Sequence, residues 1–399
     1  MVQPVPGELQ PVSEQLQIGR GPMQPKVSFI VPCYNLAHLL GECVESILRQ
    51  SYTDFEVLIM DDHSPDHTAE VAQAFSDHRV QYIRNEKNLG NIGNYNTGIG
   101  LSRGRYIWLI SADDRLRTEY VLERYVQLME AHPQVGYVFC PAVALERGQE
   151  TEVMPNSSPY SQDAVLQGWV FLKRLLQGCC VSAPAAMVRR ECYEKVSMFP
   201  PHLPYAGDWY LWCAFALHYD VAYCSEPMIN RRLHDRNMTK FFEGEGRRTH
   251  VANMLDVPWQ IKYQAEAIGA RELTRLCCKA ISAEYTAQLS PNPSRTGRPG
   301  MTWEEFEVSL RSYASDQAEA AGIRAKVLAG IGDSYYWENN LPEAFKHYRQ
   351  ALQEVAWMPD IYVKYALLRT GNLGTYARGI FGALKRTTFT SLSRGSRSL

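Results

Sequence analysis

The chain has almost no excess charge of either sign: 41 basic residues stand against 43 acidic ones, a net of −2 over 399 residues. Proteins that bind polyanions carry a marked basic excess, so nucleic acid is not an expected partner. No run approaches the roughly 18 uninterrupted apolar residues of a membrane-spanning helix. The ten cysteines include the adjacent pairs Cys179-Cys180 and Cys277-Cys278, but no spacing that resembles a zinc site. Residues 1–26 are rich in Pro, Gln and Gly and lack the apolar core of a secretion signal. Residues 1–25 are therefore expected to be disordered, the chain to be cytoplasmic, and its cysteines to be free thiols. The length exceeds one ordinary domain and is enough for a large core.

Strand and helix patterns alternate after the polar start. Val27–Val31 is a short apolar strand. From Leu36 to Leu48, apolar residues recur at three- and four-residue steps, the stripe of an amphipathic helix. Further strands are expected at Phe55–Met60, Val80–Ile83, Arg105–Ile110 and Val135–Cys140. Helices are expected between them at about 67–75, 92–101 and 119–131. Such alternation predicts an α/β fold: a mostly parallel sheet with helices on both faces, joined by right-handed crossovers. Residues 141–163 read as a polar excursion. Trp169–Leu176 reads as a helix, Ala183–Val188 as a strand, and Trp209–Leu217 as an apolar helix. Val221–Cys224 and Met228–Leu233 read as closing strands.

The remainder is helical in pattern. A helical extension covers 241–289, and Ser290–Gly300 (SPNPSRTGRPG) reads as a linker. Within the helical region 301–399, Gly332, Tyr335, Ala344, Tyr348 and Ala351 keep the offsets of one tetratricopeptide unit. An ordinary helical hairpin uses the same small and large residues, so both readings stand. Past Asp360 there is no acid, but there are Lys364, Arg369, Arg378, Lys385, Arg386, Arg394 and Arg397. That basic end fits either a solvated helix with a frayed tail or a segment lying on anionic membranes.

Four segments carry chemistry. Ser111-Ala112-Asp113-Asp114 follows an apolar strand, and the carboxyl ends of strands form the ligand crevice of an open α/β sheet. Two adjacent carboxylates there favour a hard cation such as Mn²⁺ or Mg²⁺. Pro32-Cys33-Tyr34-Asn35 ends the first strand and puts an aromatic ring at the crevice. Asp61-Asp62-His63-Ser64 ends the second: Asp62 there is placed to accept hydrogen bonds from a base or ribose, or to cap the next helix. Asn88-Leu89-Gly90 precedes a helix whose glycines permit close backbone approach. Finally, Gly207-Asp208 opens the Trp-rich helix, where Asp208 reads in isolation as an N-cap.

Taken together, VSFIVPCYN, EVLIMDDHSPDHT, NLGNIGNYNTGIGLSRGRYIWLISADD and AGDWYLW resemble the inverting family-2 glycosyltransferases of the GT-A fold, over roughly residues 26–240. The resemblance implies a nucleotide-sugar donor (UDP-, GDP- or dTDP-linked) lying over the strand ends, with Tyr34 and Asp62 on the base and Pro32, Asn35 and Asn88 beside them. It places Asp113-Asp114 at the metal-bound diphosphate, Asp114 being the direct ligand, and His234 on the metal or diphosphate. It makes Asp208 the base and a glycan or lipid-linked glycan the acceptor. One departure stands out: Asn94-Tyr95-Asn96 replaces an Ala-Arg-Asn common in the family, which removes an Arg contact to the nucleotide.

The same chemistry follows from the residues. A leaving diphosphate needs its charge neutralised, and the attacking hydroxyl needs a base. The aromatic neighbours Trp209, Tyr210 and Trp212 favour a desolvated, more basic Asp208. The alternative is a catalytically silent nucleotide-sugar-binding protein carrying a helical adaptor. A nucleotidyltransferase is disfavoured because no Gly- and Arg/Lys-rich phosphate loop follows the first strand.

Overall fold

The computed structural model describes residues 24–154, 156–235, 237–290 and 300–369. The expected disordered start, the heart of the expected linker (291–299) and the basic end beyond residue 369 lie outside these residues.

The first unit is β1 (Val27–Cys33), α1 (Ala37–Leu48), β2 (Phe55–Asp61), α2 (Thr68–Gln73), β3 (Val80–Arg84), α3 (Gly90–Leu101) and β4 (Tyr106–Leu109). Every residue of β1 and β2 is buried, which is why both read as continuous apolar runs: a sheet covered on both faces has no polar side. β5 (Arg115–Leu116) and α4 (Val121–Ala131) lead to β6 (Val135–Phe139), β7 (Ala142–Glu146), β8 (Gln149–Val153) and β9 (Ala164–Leu166). α5 (Gly168–Leu175), β10 (Ala186–Arg189), α6 (Arg190–Val196), α7 (Gly207–Ala216), β11 (Asp220–Tyr223) and β12 (Ile229–Leu233) follow.

The main sheet has eight strands in the order β3-β2-β1-β4-β10-β6-β11-β9. Its core is parallel, as the alternation predicts, but β10 runs antiparallel between β4 and β6. It is entered through a three-residue helical turn, Ala183–Ala185, and an antiparallel neighbour needs no helical crossover. The stretch read as a polar excursion contains β7 and β8. β7 is buried for four of its five residues while β8 is exposed throughout, so no alternating pattern marked the hairpin. With β5 and β12 these strands form a second sheet, β5-β12-β7-β8. β12 therefore does not close the main sheet; it lies between β5, which directly follows Asp114, and β7.

Helices cover both faces of the main sheet. On one face α1 and α4 pack through Leu40, Val44, Ile47, Val121 and Tyr125. There Trp108 stacks between Phe29 and Tyr125, with ring centroids 5.2 and 4.8 Å apart. On the other face lie α3, α5 and α7, with Ile99, Leu172, Trp212 and Phe215 in the core. α3 approaches the sheet so closely that a Cβ on Gly98 would stand 2.5 Å from Ile30 Cγ2. Packing, not a ligand, requires that glycine.

Among the described residues seven more helices follow: α8 (Met238–Glu243), α9 (Arg247–Ala267), α10 (Arg271–Leu289), α11 (Trp303–Tyr313), α12 (Gln317–Trp337), α13 (Leu341–Glu354) and α14 (Pro359–Arg369). α9 is buried on two sides. Val257, Ile261 and Ala265 join the core around α7, whereas Leu255 and Trp259 join a separate core with α10, α11 and α12. Buried Lys262 bridges Glu266 of its own helix and Glu319 of α12, at 2.9 and 2.8 Å. α12 and α13 form the expected hairpin. The Tyr348 ring lies where a Cβ on Gly332 would be, beside buried Ala344 and Ala351. Either reading of those offsets requires this packing.

Candidate active site

The loops leaving β1 and β2 bend through left-handed residues, Asn35 (φ 57) and His63 (φ 61), and are braced against each other. The Asn35 N–H donates to Ser64 Oγ at 3.0 Å, and the Ala37 N–H donates to Asp66 Oδ2 at 3.0 Å. Tyr34 is left half exposed, whereas Pro32 is buried within β1 and its carbonyl accepts the Ala112 N–H. Asp62 does not cap α2. It is buried, and its Oδ1 accepts the Leu89 N–H at 2.7 Å and Asn85 Nδ2 at 2.9 Å, which ties the end of β2 to the loop before α3. Asn88 accepts the Gly90 N–H at the exposed start of that helix.

At the end of β4 the Asp114 N–H donates to the Ser111 carbonyl, and this turn separates the two carboxylates. Asp113 Oδ2 is 3.0 Å from His234 Nε2 and accepts from Asn237 Nδ2 at 3.2 Å. Asp113 Oδ1 is buried with no hydrogen-bond partner among the described residues. Asp114 Oδ1 accepts the Arg232 N–H at 2.9 Å, and Arg232 Nε donates to the Asp113 carbonyl at 2.8 Å. The Arg232 guanidinium also pairs with Glu42, which holds Arg115 as well. Burial, and then the charge of Asp113, push the Asp114 carboxyl well above the usual range. Burial pushes Asp113 up too, but the hydrogen bond and charge of His234 work against it, and the group is held low. Of the two, Asp113 is the more readily ionised.

A magnesium- or manganese-type cation fits this arrangement. Such ions take one or two carboxylates plus substrate phosphates and waters, with no need of an all-protein cage. An ionised carboxylate with one buried, unpaired oxygen is that kind of donor.

A cleft of about 400 Å³ opens beside the pair, with Asp113, Asp114, Asp208, Tyr95, Arg231 and Asn237 among its walls. Asp208 lies in the first turn of α7 but is not its N-cap; Ala206 is, and it makes no side-chain cap. Asp208 Oδ1 instead accepts the N–H of Trp209 at 2.7 Å. Burial raises its pKa, opposed by that hydrogen bond and by the charge of Arg231. Trp209 is itself buried, with its indole N–H on the Leu175 carbonyl at 2.9 Å, so it supports the wall from the core.

The fold thus brings Asp113, Asp114 and Asp208 to one cleft, with His234 bonded to Asp113. Tyr34, Asn35, Asp62 and Asn88 stand on the adjoining strand-end loops and not among the cleft walls. Sequence reasoning missed Arg231, Arg232 and Asn237. Their one signal was a basic, polar run, NRRLHDRN, in a segment expected to be a closing strand.

Residues 28–196 match the model of Glycosyl transferase family 2. An uncharacterized glycosyltransferase of Rickettsia typhi is 25% identical over 217 residues, 54% of this chain and 66% of that protein. The glycosyltransferase GlyG of Streptococcus pneumoniae is 35% identical over 115 residues, 28% of this chain and 38% of that protein. The chain therefore spans less than two thirds of the length of either. WfgD of Escherichia coli, a UDP-Glc:alpha-D-GlcNAc-diphosphoundecaprenol beta-1,3-glucosyltransferase, is 28% identical over 186 residues, 47% of this chain and 68% of that protein. Among solved structures, residues 1–349 of S. aureus TarS in complex with UDP superpose with a TM-score of 0.56 at 15% identity, covering 82% of this chain and 90% of that one. On fold and family model together, residues 28–196 match a family 2 glycosyl transferase domain, within a chain that shares the GT-A fold.

Proposed function

We propose that the protein is a metal-dependent, inverting glycosyltransferase that moves a sugar from a nucleotide-sugar to a hydroxyl of a glycan or lipid-linked glycan. The observation behind this is the pairing, in one cleft, of a buried and unpartnered Asp113 Oδ1 with a desolvated carboxylate, Asp208. The activity of WfgD, with a UDP-sugar donor and a diphosphoundecaprenol-linked acceptor, supports the donor and acceptor classes.

In this reading the exposed Tyr34 ring stacks on the base, and Asp62 accepts from the base or ribose beside Asn35 and Asn88. Asp113, held by His234 and Asn237, takes the Mn²⁺ or Mg²⁺. Asp114, the direct ligand that the family resemblance implies, has one oxygen engaged by the Arg232 N–H, and its other oxygen stands beside the same cation. The cation, when bound, supplies Lewis-acid neutralisation of the departing diphosphate. Arg231 adds fixed positive charge to the same wall. Asp208 Oδ2 accepts the acceptor's proton as that oxygen bonds the anomeric carbon and the sugar–diphosphate bond breaks, a single displacement that inverts the centre. We place the protein in the cytoplasm, with its basic end at the membrane face where lipid-linked acceptors reside; no helix among the described residues is long and apolar enough to cross a membrane.

A panel of UDP-, GDP- and dTDP-sugars, with and without Mn²⁺, tests the assignment by thermal shift, since a ligand that binds only the folded state raises Tm. Metal-dependent stabilisation by one nucleotide class, followed by turnover of that donor, is expected. Stabilisation without any turnover would favour the silent adaptor instead.

A further inference from the structure

The segment between α6 and α7, residues 197–206, has no helix or strand of its own, yet it ends at the turn that presents Asp208. Three asparagine amides hold it. Asn96 of α3 makes a two-way bond with Phe199, its Nδ2 donating to the carbonyl at 2.8 Å and its Oδ1 accepting the N–H at 3.0 Å. Asn91, also of α3, donates to the Pro204 carbonyl at 3.1 Å. The third is Asn253 of α9. Its Oδ1 accepts the N–H groups of Tyr205 and Ala206 at 2.9 and 3.3 Å, and its Nδ2 donates to the His202 carbonyl at 3.2 Å.

Asn253 is 3% exposed, so these bonds are shielded from water. Ala206, one of its partners, is the N-cap of α7 and stands two residues before Asp208. Neighbouring contacts reinforce the join. The Tyr205 ring lies 4.2 Å from that of His250 on α9 and 5.3 Å from that of Phe242 on α8. Gln264 of α9 donates to the Tyr210 hydroxyl of α7 at 2.7 Å.

We propose that Asn253 is a positioning residue for Asp208, through which the helical extension sets the backbone that carries the base. This rests on the assignment of Asp208 as base. Nothing bonded to Asn253 is among the groups assigned to the nucleotide or cation. Its loss therefore acts on the transfer step alone. Without the amide, two N–H groups lose their acceptor and the first turn of α7 is free to shift, and a misplacement of about 1 Å at a reacting group costs about 100-fold in rate.

The test uses the full chain and three variants. UDP affinity is measured by calorimetry with Mn²⁺, turnover as UDP release from UDP-glucose, and backbone protection by hydrogen exchange. Asn253→Ala is expected to lower kcat by about 10- to 100-fold, to leave UDP affinity unchanged, and to speed exchange at the Tyr205 and Ala206 amides. Asn253→Asp keeps the acceptor oxygen and is expected to restore the protection and most of the turnover. Ser309→Ala removes the partner of the Tyr285 hydroxyl in the second helical core, and is the control for lost stability alone: Tm falls and kcat holds. Unchanged exchange in Asn253→Ala would overturn the clamp. Faster exchange with full kcat, or a loss of kcat matched by Ser309→Ala or by lost UDP affinity, would overturn the positioning role. Absence of UDP release from the parent protein would count against the assigned reaction, while the exchange data still judge the clamp.

Discussion

Replacing Asp208 by Asn separates chemistry from structure at this site because the two effects have opposite signs. Asn keeps the size of the side chain and an oxygen to accept the Trp209 N–H, now at 2.7 Å. It cannot take a proton. Loss of a positioned base lowers the rate by about two to four orders of magnitude, equivalent to about 3–5 kcal/mol of transition-state stabilisation. For stability the sign follows from the raised pKa. The folded state holds the Asp208 proton more tightly than the unfolded chain does, so stability falls as pH rises from the ordinary value of 3.8 through the higher folded one. The penalty is fully present once pH exceeds the folded value, and Asn removes it. The substitution also loses the attraction between a carboxylate and the helix N-terminus, about 0.3–1 kcal/mol. Burial outweighs the favourable interactions in the direction of the shift, so Tm at pH 7 is expected to hold or rise while kcat collapses. UDP titration, UDP release and thermal melts on the same preparation check all three. Full turnover in Asp208→Asn would end the base assignment. A fall in turnover, UDP affinity and Tm together would make the residue structural.

Four further outcomes are expected. In the parent enzyme kcat should rise with pH to a plateau, with its acid limb centred above 3.8 because burial raises the Asp208 pKa; a limb at or below that value would contradict the desolvated base. If the proposed metal site is right, Asp113→Ala should abolish any Mn²⁺ dependence of nucleoside diphosphate binding while leaving the fold intact, which calorimetry with and without metal reads directly. Gly98→Ala should lower stability by about 1–3 kcal/mol, seen as a lower denaturation midpoint, because its Cβ would meet Ile30 Cγ2 at 2.5 Å. Deleting residues 375–399 should weaken flotation with anionic vesicles, and added salt should do the same to the intact protein; equal flotation of both forms would remove the membrane role.

The sequence made the parallel core of the sheet and the Asp113-Asp114 position legible, because strands buried on both faces are continuous apolar runs and their carboxyl ends are punctuated by polar residues; Asp208, at the start of a helix, stood out only through the family resemblance and its aromatic neighbours. It left the β7–β8 hairpin hidden, since an exposed β8 has no apolar face to alternate. The Arg231–Asn237 wall was hidden for another reason: it reaches the carboxylates through the second sheet, a pairing between residues more than a hundred positions apart that no local pattern encodes. Asn94-Tyr95-Asn96 was visible only as a departure. In the structure Asn94 donates to the Met60 carbonyl, Tyr95 packs edge-on against Phe199, and Asn96 holds the Phe199 backbone. Where an Arg would reach a nucleotide, this chain spends the helix face on bracing the loop before Asp208.

α9 has a consequence for how the molecule comes apart. One side of it completes the core around α7 and the other completes the core with α10, α11 and α12. Local opening is possible only where a segment's contacts end, and here they do not end between the main sheet and the helices behind it. Melting should therefore pass both regions through one transition, with tryptophan fluorescence and loss of nucleotide-sugar binding falling on a common midpoint. A protease that cuts behind α9 would release no working fragment.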